Sequence, residues 1–445
     1  MGLRPHVSQG AGLTPGQIEE NFADLTPTLN GTQAHVEAAR CLYCYDAPCI
    51  KACPTAIDIP TFIHQIRSEN LKGSAHTILS ANIMGGTCGR ACPTEVLCEE
   101  ACVLNARGEE PVKIGALQRH AVEDLMGRGG AHPFTRAAPS GKTLAVVGAG
   151  PAGLSFAHRA AMLGHDVVVY EAKRKPGGLN EYGLAAYKMA NEFAQREVEF
   201  LLGIGGIRIE YGKALGRDIA LEDLRAKHAA VFIGVGMEIP NRLGIPGEDL
   251  DGVRDALIWI EELRQAADKS RIAVGKNVVV IGGGNTAIDA AVQAKRLGAE
   301  SVTLVYRRGE DAMKATAWEC DLARTNDVVF KLFSAPVKFE GDGKIASATF
   351  ARTKLNGGKL ETTGEHSTIP ADMVLKAIGQ QLDLKTLGHL ALKGGQVVVD
   401  ANYQTSIPGV YAGGDCIASG QDLTVQAVED GKCAAIAVDK SLRGA

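Results

Sequence analysis

Thr143-Leu144-Ala145-Val146-Val147-Gly148-Ala149-Gly150-Pro151-Ala152-Gly153 runs from an apolar stretch straight into a glycine turn. An apolar run of strand length that closes on Gly-x-Gly-x-x-Gly predicts strand, tight turn and helix. Gly148 permits the turn, Gly150 lets a pyrophosphate approach the backbone, and Gly153 lets helix and strand pack closely. Pro151 and Ala152 open the helix, whose positive end suits phosphate. An Ala-rich segment to Gly164 continues the helix, Val167 to Tyr170 gives a second strand, and Glu171 ends it. An acid there is placed to accept a ribose hydroxyl.

The pattern returns further on. Strand Val278 to Ile281 leads into Gly282-Gly283-Gly284-Asn285-Thr286-Ala287, a helix to Leu297 and a strand Val302 to Tyr306. No carboxylate ends that strand; Arg307 and Arg308 follow it instead. Guanidinium groups suit a 2′-phosphate, so this site leans toward NADP, although arginine also stacks on adenine and both residues fit an ordinary charged strand end. Two such βαβ units imply two nucleotide sites. Near the other end, Ala412-Gly413-Gly414-Asp415 closes a β run, and a helix is predicted from about Thr424. Asp415 there can reach a ribityl hydroxyl of an extended flavin, and the helix from Thr424 can aim its positive end at the flavin ring. This pairs FAD with the first fingerprint and NAD(P) with the second.

Before the first fingerprint the chain is irregular and holds Cys41, Cys44, Cys49, Cys53, Cys88, Cys92, Cys98 and Cys102, eight of its 11 cysteines. Asn30 or Thr32 is expected to cap a helix ending near Arg40, and Thr61 to Ile66 reads as a short helix. The runs are Cys41-x2-Cys44-x4-Cys49-x3-Cys53-Pro54, then Cys88-x3-Cys92-Pro93 and Cys98-x3-Cys102. A disulfide framework marks small secreted chains, and Met1 to Gly12 has no apolar export segment. Structural zinc prefers Cys-x2-Cys pairs across a longer spacer. Four cysteines packed together, twice closed by Cys-Pro, point to iron–sulfur ligation, and eight thiolates suffice for two 4Fe-4S clusters. Cys416 and Cys433 read as core thiols, with no second cysteine for a redox disulfide.

Composition agrees. The net charge of −4 gives no reason to expect nucleic acid or an anionic membrane as partner, and no apolar run reaches membrane-spanning length. A cytoplasmic protein is expected. Gly127 to Gly141, with Gly129, Gly130, Pro133 and Pro139, reads as a linker. The expected organisation is α/β: an α-helical double-cluster domain over 1–140, then two Rossmann-like domains. These are an FAD domain from 141–252 and 374–445, and an NAD(P) domain inserted over 253–373.

Cys41-Leu42-Tyr43-Cys44-Tyr45-Asp46-Ala47-Pro48-Cys49, the Cys-Pro groups and the two fingerprints resemble one family. It comprises glutamate synthase small subunits and the electron-input half of dihydropyrimidine dehydrogenase. Asp46-Ala47-Pro48-Cys49 and Ile114-Gly115-Ala116-Leu117-Gln118 look most like the dihydropyrimidine dehydrogenase branch, above all the separate small subunit of the bacterial NAD-dependent enzyme. The resemblance implies one cluster on Cys41, Cys44, Cys49 and Cys102, and another on Cys53, Cys92, Cys98 and Gln118. Cys88 would stay free, against the count of eight thiolates. It places Lys188 near the flavin, and Lys314 beside the 2′-phosphate. It favours NADH, where the arginine pair favours NADPH. It also implies a large partner with FMN, further clusters and the pyrimidine site, in a heterotetramer. The chain to Ala445 leaves no room for a barrel of about 250 residues of its own. Candidate FAD contacts are then Gly148, Gly150, Pro151, Ala152, Gly153, Glu171, Gly178, Leu179, Lys188, Gly414, Asp415 and Thr424. Candidate NAD(P) contacts are Gly282, Gly283, Gly284, Asn285, Thr286, Arg307, Arg308, Lys314, Ala377, Ile378 and Gly379. The competing expectation is a general electron-transfer module serving glutamate synthase or another acceptor.

Overall fold

The computed structural model describes residues 12–387 and 390–444. It separates into two compact units. One holds Pro27–Glu181, Glu192–Ile239 and Gln381–Ala445; the other holds Met1–Thr26, Tyr182–Asn191 and Pro240–Gln380.

The first unit begins with short helices. Asn30 caps helix Gly31–Ala38, its side chain accepting Gln33 N–H, and Asp58 and Asn70 cap Ile59–Arg67 and Leu71–Ala81 in the same way. The amphipathic helix Ile59–Arg67 buries Ile59, Phe62, Ile63 and Ile66 against Ile78, Leu117 and Val122 of its neighbours. Helices Gly85–Ala91 and Ile114–Arg128 pack closely: a Cβ on Gly89 would lie 2.9 Å from the Arg119 backbone. The linker starts at Gly129, because the last of these helices runs through Arg128. A five-stranded sheet follows, ordered Val410–Ala412, Ala230–Ile233, Thr143–Val147, Asp166–Glu171, Ile207–Tyr211, and every pairing is parallel. Strand Thr143–Val147 lies between strands that the chain reaches in opposite directions. Such a switch point opens a crevice at the strands' carboxyl ends. The last helix, Thr424–Arg443, packs along helix Pro151–Met162, with Ser155 Oγ donating to Val428 O at 2.6 Å.

The second unit repeats the plan with parallel strands ordered Val253–Asp255, Met373–Lys376, Asn277–Ile281, Ser301–Val305 and Val328–Lys331. Trp259, Ile260, Ile288, Val292 and Leu304 fill its core. A three-stranded antiparallel sheet, Ser334–Glu340, Ser347–Asn356 and Lys359–Pro370, packs Phe339 and Phe350 against Val279 and Ile281.

The expected edge after 252 falls just before strand Val253–Asp255 and the one after 373 falls inside Met373–Lys376, and these two strands pair with each other in one sheet. The break in packing lies at 240 and 380. The cysteine region and the first nucleotide fold share one unit. Among the described residues no helix is long and apolar enough to cross a membrane.

Candidate cofactor sites

The first glycine turn has the geometry a dinucleotide requires. Gly148 has φ +96°, and a Cβ there would lie 2.5 Å from Gly234 O. A Cβ on Gly153 would lie 2.0 Å from Gly148 O, so helix and turn meet there only without a side chain. At Gly150 the nearest atom to such a carbon is Gly178 Cα at 3.8 Å, so the turn is open on the side where phosphate approaches. Helix Pro151–Met162 starts without a side-chain cap, leaving N–H groups for an anion. Glu171 is buried, and its two carboxylate oxygens accept Ala149 N–H and Lys173 N–H, each at 2.7 Å. It therefore pins the turn, and each oxygen keeps a lone pair for a ribose hydroxyl. Gly178, with φ +54°, backs onto Gly150; Leu179 beside it is exposed.

Opposite the turn, Gly414 has φ +77° and donates its N–H to Asp430 at 2.9 Å. Burial, then Asp422 and Asp430, push the Asp415 carboxyl up to about 6. Helix Thr424–Arg443 is also uncapped by a side chain. Thr424 Oγ1 donates to Asn180 Oδ1 at 2.8 Å, joining that helix to the Gly178 loop. Sequence reasoning missed Asn180 and Asp430. Neither lies in a glycine motif, and each acts on a residue distant in the chain.

In the second unit Gly282 has φ +154°, and a Cβ on it would lie 2.3 Å from Ala377 O. Gly283 lies under the Tyr306 ring, Gly284 is open, and helix Asn285–Arg296 begins uncapped. Gly283 O accepts Lys314 N–H at 2.8 Å, which brings Lys314 beside the turn. Asn285 Oδ1 accepts Thr316 N–H at 3.3 Å. Arg307, Arg308 and Lys314 are all exposed. Ala377 donates its N–H to Ile281 O, while Asn241 bonds the carbonyls of Ile378 and Gly379.

Lys188 lies in this second unit, where its ammonium is buried between Asp289, at 2.7 Å, and Glu319. Burial pulls it down, but the two carboxylates outweigh that and hold it above its ordinary value. Asp289 also accepts Ala185 N–H and Tyr187 O–H, each at 3.3 Å.

The cysteines sort into two groups. Cys41, Cys44, Cys49 and Cys102 line one cavity, floored by Ile59, Ile63, Leu104, Val112 and Ile114. Burial, then Cys41 and Cys102, push the Cys49 thiol up to about 11. Burial also drives Cys92 well above its usual value, with Cys88, Cys98 and Cys53 adding to the shift. Among the described residues no three such side chains are drawn together as ligands of one metal ion would be. Thiols spaced around an apolar cavity fit a polynuclear cluster, whose positive metal charge reverses the cost of thiolate. Cys88 is fully buried, and its sulfur accepts Asn82 Nδ2 at 3.1 Å. Gln118, also buried, donates Nε2 to Gly85 O at 2.7 Å, so its oxygen is the atom left for a metal. Cys416 and Cys320 are buried in the two cores, as core thiols should be. Cys433 is half-buried and bonds Glu429.

Residues 142–431 match the pyridine nucleotide-disulphide oxidoreductase family, and residues 18–129 match dihydropyrimidine dehydrogenase domain II, 4Fe-4S cluster. The chain belongs to the pyridine nucleotide-disulphide oxidoreductases and carries that iron–sulfur domain in front. It is 35% identical to the NAD-dependent dihydropyrimidine dehydrogenase subunit PreT of Escherichia coli K12, over 96% of this chain and 99% of that one. To the small chain of NADPH glutamate synthase from the same organism it is 32% identical, over 93% and 92%. FprA of Mycobacterium tuberculosis, in complex with NADPH, superposes with a TM-score of 0.58 at 19% identity, covering 68% of this chain and 85% of that one. That likeness shows the shared fold. The protein is therefore an oxidoreductase that uses FAD, NAD(P)H and 4Fe-4S clusters, as the two fingerprints and the cysteine runs predicted.

Proposed function

We propose that the chain is the electron-input subunit of an NAD-dependent dihydropyrimidine dehydrogenase. It takes hydride from NADH and delivers electrons to a large subunit holding FMN and iron–sulfur clusters, which reduces uracil or thymine to the 5,6-dihydropyrimidine. The two subunits form a heterotetramer. The observation that carries this is the continuity of the first unit from flavin loop to cysteine loops. Asn180, which bonds Thr424, also reaches Met84 Sδ at 3.7 Å, and Met84 opens the helix Gly85–Ala91 that leads to Cys92. Beyond it, the Cys41 group lies beside Leu42 and Tyr45, both exposed, Tyr45 fully so.

When bound, flavin accepts a hydride and releases electrons singly, whereas each cluster carries one electron. The protein's part is to hold and orient. The open turns at Gly150 and Gly284 present helix N–H groups to the two pyrophosphates. Glu171 fixes the first turn while accepting a ribose hydroxyl. The uncapped N-terminus of the helix from Thr424 would offer its positive end to negative charge on a bound flavin. Cys41, Cys44, Cys49 and Cys102 hold one cluster, and Cys53, Cys92, Cys98 and Gln118 the other. The exposed face at Leu42 and Tyr45 docks the acceptor. The test is reconstitution. Alone, the chain is expected to reduce an artificial dye with NADH but to leave uracil and thymine untouched. Adding the FMN subunit should yield dihydropyrimidine. Pyrimidine reduction by the chain alone would sink the proposal. The likeness to the glutamate synthase small chain favours a second reading, delivery to a glutamate synthase large subunit. The native partner identified by co-purification separates the two.

Arg307, Arg308 and Lys314 present three exposed cations beside the second turn. A charge-assisted hydrogen bond is worth about 1.5–3 kcal/mol, so losing one costs roughly 10- to 100-fold. The double variant Arg307→Ala, Arg308→Ala is expected to lower kcat/KM for NADPH by about that factor, and for NADH by less than about threefold. Equal losses with both donors would mean that the arginines do not read the 2′-phosphate.

A further inference from the structure

Cys53 is followed by a tight turn. Ala56 N–H closes it on Cys53 O at 2.8 Å, and Ala56 takes φ +50°, the left-handed region. This turn folds Thr55 back over the sulfur, with Thr55 Oγ1 3.3 Å from Cys53 Sγ. Thr55 is buried at 2% exposure, so no water competes for that hydroxyl. A ligating cysteine is a thiolate and has no proton to give, so the hydroxyl is the donor. The same turn is held from the far side. Lys432, in helix Thr424–Arg443, donates Nζ to Ala81 O at 2.9 Å and reaches Thr55 O at 3.5 Å. Glu429, one turn earlier, pairs with that ammonium at 2.6 Å. Gly431 beside it lies flush on the first nucleotide helix, where a Cβ would come within 2.1 Å of Ala152 O. One helix thus presents its N-terminus at the flavin site and its middle at the turn of a cluster cysteine.

We propose that Thr55 sets the potential of the cluster bound by Cys53, and that Lys432 is the positioning residue that holds Thr55 there from the flavin helix. Reduction adds an electron to the cluster and makes its sulfurs more negative. A hydroxyl donating to one sulfur stabilises that state and raises the potential, as hydrogen bonds to cluster sulfurs do. The cluster nearer the flavin side of this unit is thereby kept easy to reduce. The proposal rests on Cys53 being a cluster ligand.

The experiment is an EPR-monitored redox titration of the purified holoprotein, with iron content measured beside it. Thr55→Val is expected to keep its iron and to move one of two cluster signals to more negative potential, leaving the other in place. Thr55→Ala, which adds no methyl, carries the same expectation should valine disturb the turn. Thr55→Ser should restore the native value. Lys432→Met should move the same signal in the same direction. Combined with Thr55→Val it should add little, because a residue that acts through Thr55 has nothing left to act through. Native potentials for both clusters in Thr55→Val and Thr55→Ala would overturn the proposal. Additive shifts in the double variant would overturn the part given to Lys432. Cys53→Ala keeps the underlying assignment separate: full iron and two intact signals there would remove Cys53 from the ligands, whatever Thr55 does.

Discussion

Cys88→Ala is expected to keep both clusters, whereas Gln118→Ala is expected to lose one, and with it about half of the bound iron. Thiolate is the usual ligand, and cysteine spacing alone nominates Cys88. Resemblance nominates Gln118. Two structural features favour the glutamine. Cys88 is sealed in the core, and its sulfur already accepts Asn82. Gln118 has its amide nitrogen fixed by Gly85 O, and its helix runs against the cysteine segment, with Gly115 N–H bonded to Glu99 at 2.9 Å. An amide oxygen is neutral, so its cluster carries less negative charge than one held by four thiolates. Gln118→Cys is therefore expected to retain both clusters and to move one potential to more negative values. Iron analysis and cluster EPR decide the matter. Loss of a cluster in Cys88→Ala, with Gln118→Ala silent, would return the ligand to Cys88.

Lys188→Met is expected to cost about 3–5 kcal/mol of local stability, because it removes the buried ammonium that lies between the Asp289 and Glu319 carboxylates. The three side chains are all buried, so solvent offers little screening. The amides of Ala185 and Ala186, bonded to Asp289 and Gln293, should then exchange with solvent about a hundred- to several-thousand-fold faster. Hydrogen exchange measured peptide by peptide reads this directly. Adding Asp289→Asn should recover part of the loss by removing one of the stranded charges. Unchanged exchange in Lys188→Met would show that the triad contributes nothing to holding the segment.

Both glycine turns, their flanking strands and the Asn30 cap were legible because each is written within a few residues. A strand, a turn and a helix start leave local marks that no distant contact has to supply. The cofactors followed from those marks. The destination of Lys188 was not legible in this way: its carboxylates stand on helices far along the chain, at Asp289 and Glu319. Thr55 and Lys432 were hidden for the same reason, since nothing near Cys53 announces a lysine from the last helix. A short apolar run such as Met373–Lys376 suits either sheet when read from its own residues. Only its pairing with Val253–Asp255 and Asn277–Ile281 decides which one it joins.

The first sheet takes its outermost strand, Val410–Ala412, and its covering helix, Thr424–Arg443, from late in the sequence, while the cysteine turn that this helix touches through Lys432 comes from early in it. On a ribosome adding about 5–20 residues per second, the thiols emerge on the order of tens of seconds before the helix that carries Lys432. Throughout that interval the turn at Cys53 stands without the Lys432 contact that braces it. The cysteine loops are thus made well before the helix that braces the Cys53 turn through Lys432.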